Sequence, residues 1–198
     1  SSGILSCAKY SITSNKSLLK NGNHSAGSLF VTKKTDEDGH IIYTFTDNSG
    51  QMLLSRTVDG SVLYDTYYVY DESGKLYYVL PPAASDALTA NTTYSVTNQI
   101  LKDFAYIYCY DNRNRCSENK KPGCEAVYFK YDKANQLIFS QDGVQRSKSP
   151  AEWTFYLYDS FGRNVVKGYC SNSSGSVESV SSILVSCNYT GGSSSFMN

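Results

Sequence analysis

Aromatic residues occupy every second position in short runs along this chain, and each run stops at the same place. Tyr68-Val69-Tyr70, Tyr108-Cys109-Tyr110, Phe129-Lys130-Tyr131 and Tyr156-Leu157-Tyr158 all end immediately before an Asp. Period two marks a strand with its aromatic row on one face. Two variable residues follow the Asp, then Gly or Asn, then a polar residue (Lys75, Arg115, Gln136, Arg163, Gln51 or His40). The next residue is apolar in five of six copies: Leu76, Cys116, Leu137, Met52 and Ile41. The sixth has Asn164 there, before Val165 and Val166, so a one-residue bulge has room in that hairpin.

The junction is a turn with a physical cause. The four full copies start at Tyr70-Asp71, Tyr110-Asp111, Tyr131-Asp132 and Tyr158-Asp159, with Gly74, Asn114, Asn135 and Gly162 three places after the Asp. Thr46-Asp47…Gly50 and Thr35-Asp36…Gly39 keep the turn but replace the Tyr. An Asp carboxylate accepts bonds from main-chain amides two residues on. Gly and Asn tolerate a positive φ. A type I turn followed by a left-handed residue is a common hairpin tip. The predicted fold is therefore all-β, a curved, twisted antiparallel sheet of repeated β-hairpins with one short helical insertion.

Spacing places the insertion. Successive Asp residues are 11, 24, 40, 21 and 27 apart. A hairpin unit needs about 20 residues. The long gap is thus an insertion near 83–104, and Asp36 and Asp47 mark successive turns of one meander. After Pro81-Pro82, Val96, Ile100, Leu101 and Phe104 fall on one helical face, which predicts a helix over 95–104 with Ser95 as N-cap. The organisation expected is a partly irregular segment at 1–27, a hairpin domain at 28–170 and a Ser-rich segment at 171–198. That last segment has eleven Ser between 171 and 195 and is expected to be mobile, with Ile183-Leu184-Val185 as an edge strand.

Composition narrows the function classes. Net charge is zero, which argues against a nucleic-acid or anionic-membrane surface. Leu, Ile, Val and Phe total 43 residues, so the 18 Tyr must supply much of the buried area. No apolar stretch approaches membrane-spanning length. The chain opens Ser1-Ser2-Gly3 and reads as an internal piece of a longer polypeptide.

Candidate chemistry is sparse. His40 follows a turn glycine and reads as a solvated strand residue, and His24 has no catalytic context. Cys109, Cys116 and Cys124 lack the short spacing of zinc ligands. Cys109 and Cys116 lie on opposite arms of one hairpin, facing if the tip has two central residues and diagonal if it has three. Most of the thiols read as small buried hydrophobes. Asp36-Glu37-Asp38-Gly39 resembles part of a calcium loop but lacks the downstream Glu. Asp71, Asp111, Asp132 and Asp159 share one turn context, so their expected role is structural. No catalytic, cofactor-binding or metal residue is assigned, and no enzyme is expected.

With these residues in view, Tyr68 to Leu76 and Phe155 to Arg163 resemble the Rhs/YD-repeat family, whose unit is aromatic-x-Tyr-Asp, two variable residues, Gly, Arg or Lys, then Leu. The stretch Tyr70 to Leu88, with Leu80-Pro81-Pro82, is similar to Rhs-type surface proteins of gut anaerobes. Lys121-Pro122-Gly123 through Asp132 to Gly143 fits the same pattern. The resemblance covers about residues 28 to 170. It implies a non-catalytic scaffold, wound in larger members into a shell around a C-terminal toxin or effector, and a bacterial cell-surface or secreted location. Its partners would be neighbouring repeats and such an effector domain. The self-cleaving Asp-Pro element of some members is not present. Asn114 and Asn135 stand where the family has Gly, and the Thr35 and Thr46 copies suggest the sheet's edge. The alternative is a carbohydrate-binding surface whose exposed Tyr ladders stack on a glycan. A sheet cut from a longer array has open edges, so self-association, or capping by the chain's own termini, is also expected.

Overall fold

The structure is a computed structural model and describes residues 3–172. The expected strand at Ile183-Leu184-Val185, most of the Ser-rich segment and Cys187 lie outside the described residues.

Over the described residues the fold is all-β, with three short helices. Strands β1 (Ala8–Ile12) and β2 (Leu18–Asn23) form the first hairpin. Strands β3 (Phe30–Thr35), β4 (Ile41–Thr46), β5 (Met52–Asp59), β6 (Val62–Tyr70) and β7 (Leu76–Leu80) form a meander. The insertion holds α1 (Pro82–Ala87), β8 (Thr92–Tyr94) and α2 (Gln99–Phe104). The meander resumes with β9 (Tyr106–Tyr110), β10 (Cys116–Lys120), β11 (Val127–Tyr131) and β12 (Leu137–Gln141). After α3 (Gly143–Ser147) it ends in β13 (Ala151–Tyr158) and β14 (Asn164–Asn172). Eleven strands make one antiparallel sheet, β14-β13-β12-β11-β10-β9-β7-β6-β5-β4-β3. A second sheet, β1-β2-β8, joins the N-terminal segment to the insertion.

All six Asp tips have one geometry. The residue three places on has φ between 65° and 84°. Its amide donates to the Asp carbonyl at 2.9–3.3 Å, and the Asp amide donates to the carbonyl four places on at 2.8–3.0 Å. In five tips Asp Oδ1 accepts from the amides two and four residues on. At Asp132 it accepts from Gln136. Because a meander alternates ends, the Asp47, Asp71, Asp111, Asp132 and Asp159 tips share one rim, and Asp36 lies on the other.

The bulge foreseen at Asn164 is general. It occurs in the five hairpins of the common rim and not in the Asp36 hairpin, whose register is unbroken. In these five the returning strand carries one extra residue, Leu53, Tyr77, Ser117, Ile138 or Val165. The Asp36 tip has the same left-handed fourth residue and no bulge, so tip geometry alone does not cause it. In two of these hairpins that residue packs beside the next in a core, whereas Val165 and Val166 are exposed. Tyr77 and Tyr78 are both buried, their rings 5.3 Å apart, and Ile138 packs with buried Phe139.

The helical region differs from expectation. The helix starts at Gln99, capped by Asn98, whose Oδ1 accepts from the Ile100 amide at 2.9 Å. Ser95 instead closes a turn, its carbonyl accepting from the Asn98 amide. An amide oxygen one residue before the helix outcompetes a hydroxyl four residues away. Leu101 is fully buried while Phe104 is exposed. Two further helices were not foreseen. Pro82 opens α1 at its first turn, where a missing N–H costs nothing. Asp142 and Gln145 close a reciprocal capping box on α3.

The N-terminal segment is more ordered than expected. It lies over one face of the main sheet, with Tyr10 and Tyr67 rings 4.9 Å apart and the Tyr78 hydroxyl donating to the Lys16 carbonyl at 2.7 Å. Leu18, Phe45, Leu54, Tyr78, Leu80 and Leu101 form the centre of this core, which crosses the expected boundary at residue 27. A smaller core holds Phe139, Trp153 and Phe155. The N-terminal segment does not cap the β3 edge: all six β3 residues are exposed.

Candidate functional site

Two features of the sheet have the regularity or the polarity of a functional surface: the rim of Asp tips and a cleft between the two cores.

The rim is stapled in both directions. The Tyr before each Asp donates its hydroxyl back to a carbonyl of the preceding hairpin, always five residues after that hairpin's Asp. The pairs are Tyr70 to Met52 (3.1 Å), Tyr110 to Leu76 (2.8 Å), Tyr131 to Cys116 (2.8 Å) and Tyr158 to Leu137 (2.9 Å). In three hairpins the polar residue four places after the Asp reaches forward to the next tip. Gln51 donates to the Gly74 carbonyl, Lys75 to Asn114 Oδ1, and Arg115 to the Asp132 carbonyl and Asn135 Oδ1. Lys75 and Arg115 also sit over the Tyr110 and Tyr131 rings, at 5.7 and 4.7 Å.

The Asp carboxylates are committed to this rim. Arg115 pairs with Asp111 and Arg163 with Asp159, each at 2.7 Å. Burial works to raise the Asp111 carboxyl, but the hydrogen bonds from Arg115 and Arg113 outweigh it and hold it below its usual range. The Asp159 carboxyl is lowered first by the Arg163 amide and further by its side chain. His40 takes the same place as these arginines: its Nδ1 is 2.9 Å from Asp36 Oδ2, and the pair is exposed. The calcium-like stretch at Asp36 is thus a hairpin tip. Among the described residues, no group of three or more His, Cys, Asp or Glu side chains is placed to hold a metal.

The cleft arises where one repeat breaks the apolar rule. The bulge pair is Leu53-Leu54, Tyr77-Tyr78, Ile138-Phe139 and Val165-Val166 in four hairpins, but Ser117-Glu118 in the Asp111 hairpin. Ser117 and Glu118 line a hollow of about 730 Å³ between β10, the β1–β2 tip and α2. The larger core ends at Ile107 and Cys109 on one side, and Tyr128 begins the smaller core on the other. The floor is fixed by the Lys102 carbonyl, which accepts from Lys120 Nζ and from the Gly123 amide. Burial lowers the Lys120 ammonium from its ordinary value. The Tyr77 hydroxyl donates to Cys109 Sγ at 3.2 Å, and burial raises both groups, so neither is ionised at neutral pH.

Cysteine placement differs from expectation. Cys7 is buried, Cys109, Cys116 and Cys170 are half-buried, and Cys124 is exposed; all five are free thiols. Cys109 pairs with Glu118 and Cys116 with Tyr110, so the two cysteines of that hairpin are diagonal and unbridged. His24 is held through its backbone to the Cys7 carbonyl, and burial lowers its ring pKa.

The Tyr staples were invisible in sequence, because the accepting carbonyls belong to another hairpin. The cleft had a readable signal, the Ser117-Glu118 pair where other repeats are apolar. No family model matches the chain, and no curated protein matches it either.

Proposed function

We propose that this chain is a non-catalytic structural segment of a larger cell-surface or secreted bacterial protein of the Rhs/YD-repeat type, presenting or enclosing a C-terminal effector. The single observation that carries this reading is the two-way stapling of consecutive hairpins. It gives Tyr70, Tyr110, Tyr131 and Tyr158, and Lys75, Arg115 and Arg163, a partner in their own or an adjacent repeat, which supports a structural role for them. The natural partner of such a surface is a further repeat. At β14 the Asn164 carbonyl holds the place that accepts a Tyr hydroxyl elsewhere. Arg163 is 73% exposed there, against 20% for Arg115, which reaches the next tip.

A second reading, carbohydrate binding, draws its support from the cleft and not from the tyrosine rows. Those rows are half-buried, and their rim hydroxyls are taken up by carbonyls.

The test is made in the source cells. An antibody against this chain should label intact cells or medium, and peptide mapping should place it in a polypeptide with more Tyr-Asp hairpins. A cytoplasmic product, or one flanked by catalytic domains without further hairpins, would overturn the reading.

A further inference from the structure

We propose that the cleft beside Ser117 and Glu118 binds a neutral, polyhydroxylated ligand of one or two sugar rings. This deepens the second reading above and is independent of the scaffold role.

The cleft exists at the expense of packing. Burying a large apolar side chain contributes roughly 1.5–3 kcal/mol. Four of the five bulged hairpins place an apolar pair at these positions, and the Asp111 hairpin alone forgoes it. A local rule broken at one copy of a repeat marks a site kept for something other than stability. The volume, about 730 Å³, falls in the range of roughly 300–1,000 Å³ typical of small-molecule sites.

The lining selects the ligand class. The lining holds Lys16, Lys102 and Lys120 together with Asp103, Glu118 and Glu125, equal numbers of cationic and anionic residues. Such a lining has no net charge to favour an anion or a cation. It offers donors and acceptors together, which matches hydroxyl groups, since each is both. Tyr128, half-buried, contributes aromatic surface to one wall, while Tyr77 lines the hollow as a buried ring with no open face. The Tyr128 ring is held in place by the Arg146 guanidinium 4.4 Å from its centroid. A fixed ring beside mixed polar groups suits the apolar face and polar rim of a pyranose.

The whole chain is applied to an array of neutral oligosaccharides, and hits are titrated by calorimetry and by amide chemical shifts. The expected result is binding, with shifts concentrated at Tyr77, Ser117, Glu118 and Tyr128. The double variant Ser117→Ile, Glu118→Phe, which copies the Ile138-Phe139 pair, should weaken binding at least tenfold. Should that variant misfold, the shift map of the unmodified protein still decides. A blank array at millimolar sugar, shifts confined to other surfaces, or preference for sulfated or sialylated glycans would overturn the proposal. None of these outcomes touches the scaffold reading, which stands or falls on cellular location and flanking repeats.

Discussion

The hydroxyl of Tyr131 donates to the carbonyl of Cys116 at 2.8 Å, across the boundary between two hairpins. The guanidinium of Arg115, next to Cys116 in sequence, lies over the same ring at 4.7 Å. One tyrosine therefore receives a cation on its face and donates a hydrogen bond from its hydroxyl. The same back-bond recurs at Tyr70, Tyr110 and Tyr158, which explains why Tyr rather than Phe precedes each of these Asp residues.

Replacing Tyr131 by Phe removes the bond and leaves the ring. A net loss of about 1 kcal/mol in unfolding free energy is expected. Tyr108→Phe, at the preceding position of the same kind of row, should cost less. Urea denaturation of both variants makes the comparison, and equal losses would show that the staple contributes nothing.

The left-handed tip residues should discriminate sharply. Gly74→Ala is expected to cost roughly 1–2 kcal/mol, because φ of 77° is unfavourable for a Cβ. The added carbon would also press on the Gln51 amide, which can swing away. Asn135→Ala should be worse than Asn135→Gly, since Gly relieves the backbone even as the Arg115 contact is lost. Thermal melts that rank Ala above Gly at position 135 would contradict the turn geometry.

Arg56 and Asp65 form a buried pair on the covered face, 2.5 Å apart, and Arg56 also donates to the carbonyls of Gly3, Ile4 and Ser6. Arg56→Met leaves the Asp65 carboxylate with the Tyr67 hydroxyl but no cation, and takes the donor from three carbonyls. The expected loss is about 3–5 kcal/mol, with earlier proteolytic cleavage of the N-terminal residues. A variant as stable and as protease-resistant as the parent would show the pair to be dispensable.

Alkaline pH should destabilise the fold from an early point. Burial pushes the Cys7 thiol up from 9.0 to about 12, and raises Tyr10, Tyr67, Tyr77 and Tyr78 above their ordinary value of 10.0. Folded values above unfolded ones mean that this stability is complete below pH 9 and is lost as pH climbs through the folded values. Melting temperature should fall steeply beyond pH 10, and Cys7→Ala should remove the part that begins near pH 9. On the acid side, Asp111 is held below 3.8, so its contribution is lost as pH drops beneath that value. A melting temperature flat from pH 8 to 12 would refute the alkaline limb.

Legibility followed the range of the forces. The Asp-x-x-Gly/Asn tips could be read because every group in the turn lies within five residues. The bulge was legible only at Asn164, where an apolar residue was missing. In the other hairpins the residue after the tip was apolar anyway, and the shift was hidden. The helix starts three residues later than the pattern predicts because Ser95 and Asn98 are both good caps, and it is the Asn98 side chain that bonds the first-turn amide. The capping box at Asp142 and Gln145 was readable but lay between stronger repeat signals.

Residue order by itself determined the strand period, the reversals and the all-β class, since these depend on backbone preference and on neighbours along the chain. Only the folded chain decided which carbonyl each tyrosine reaches, that β1 and β2 cover a face instead of an edge, and that Ser117 and Glu118 open a cleft. Each of those outcomes joins residues from different hairpins or segments. Their energies depend on distances that no local pattern encodes.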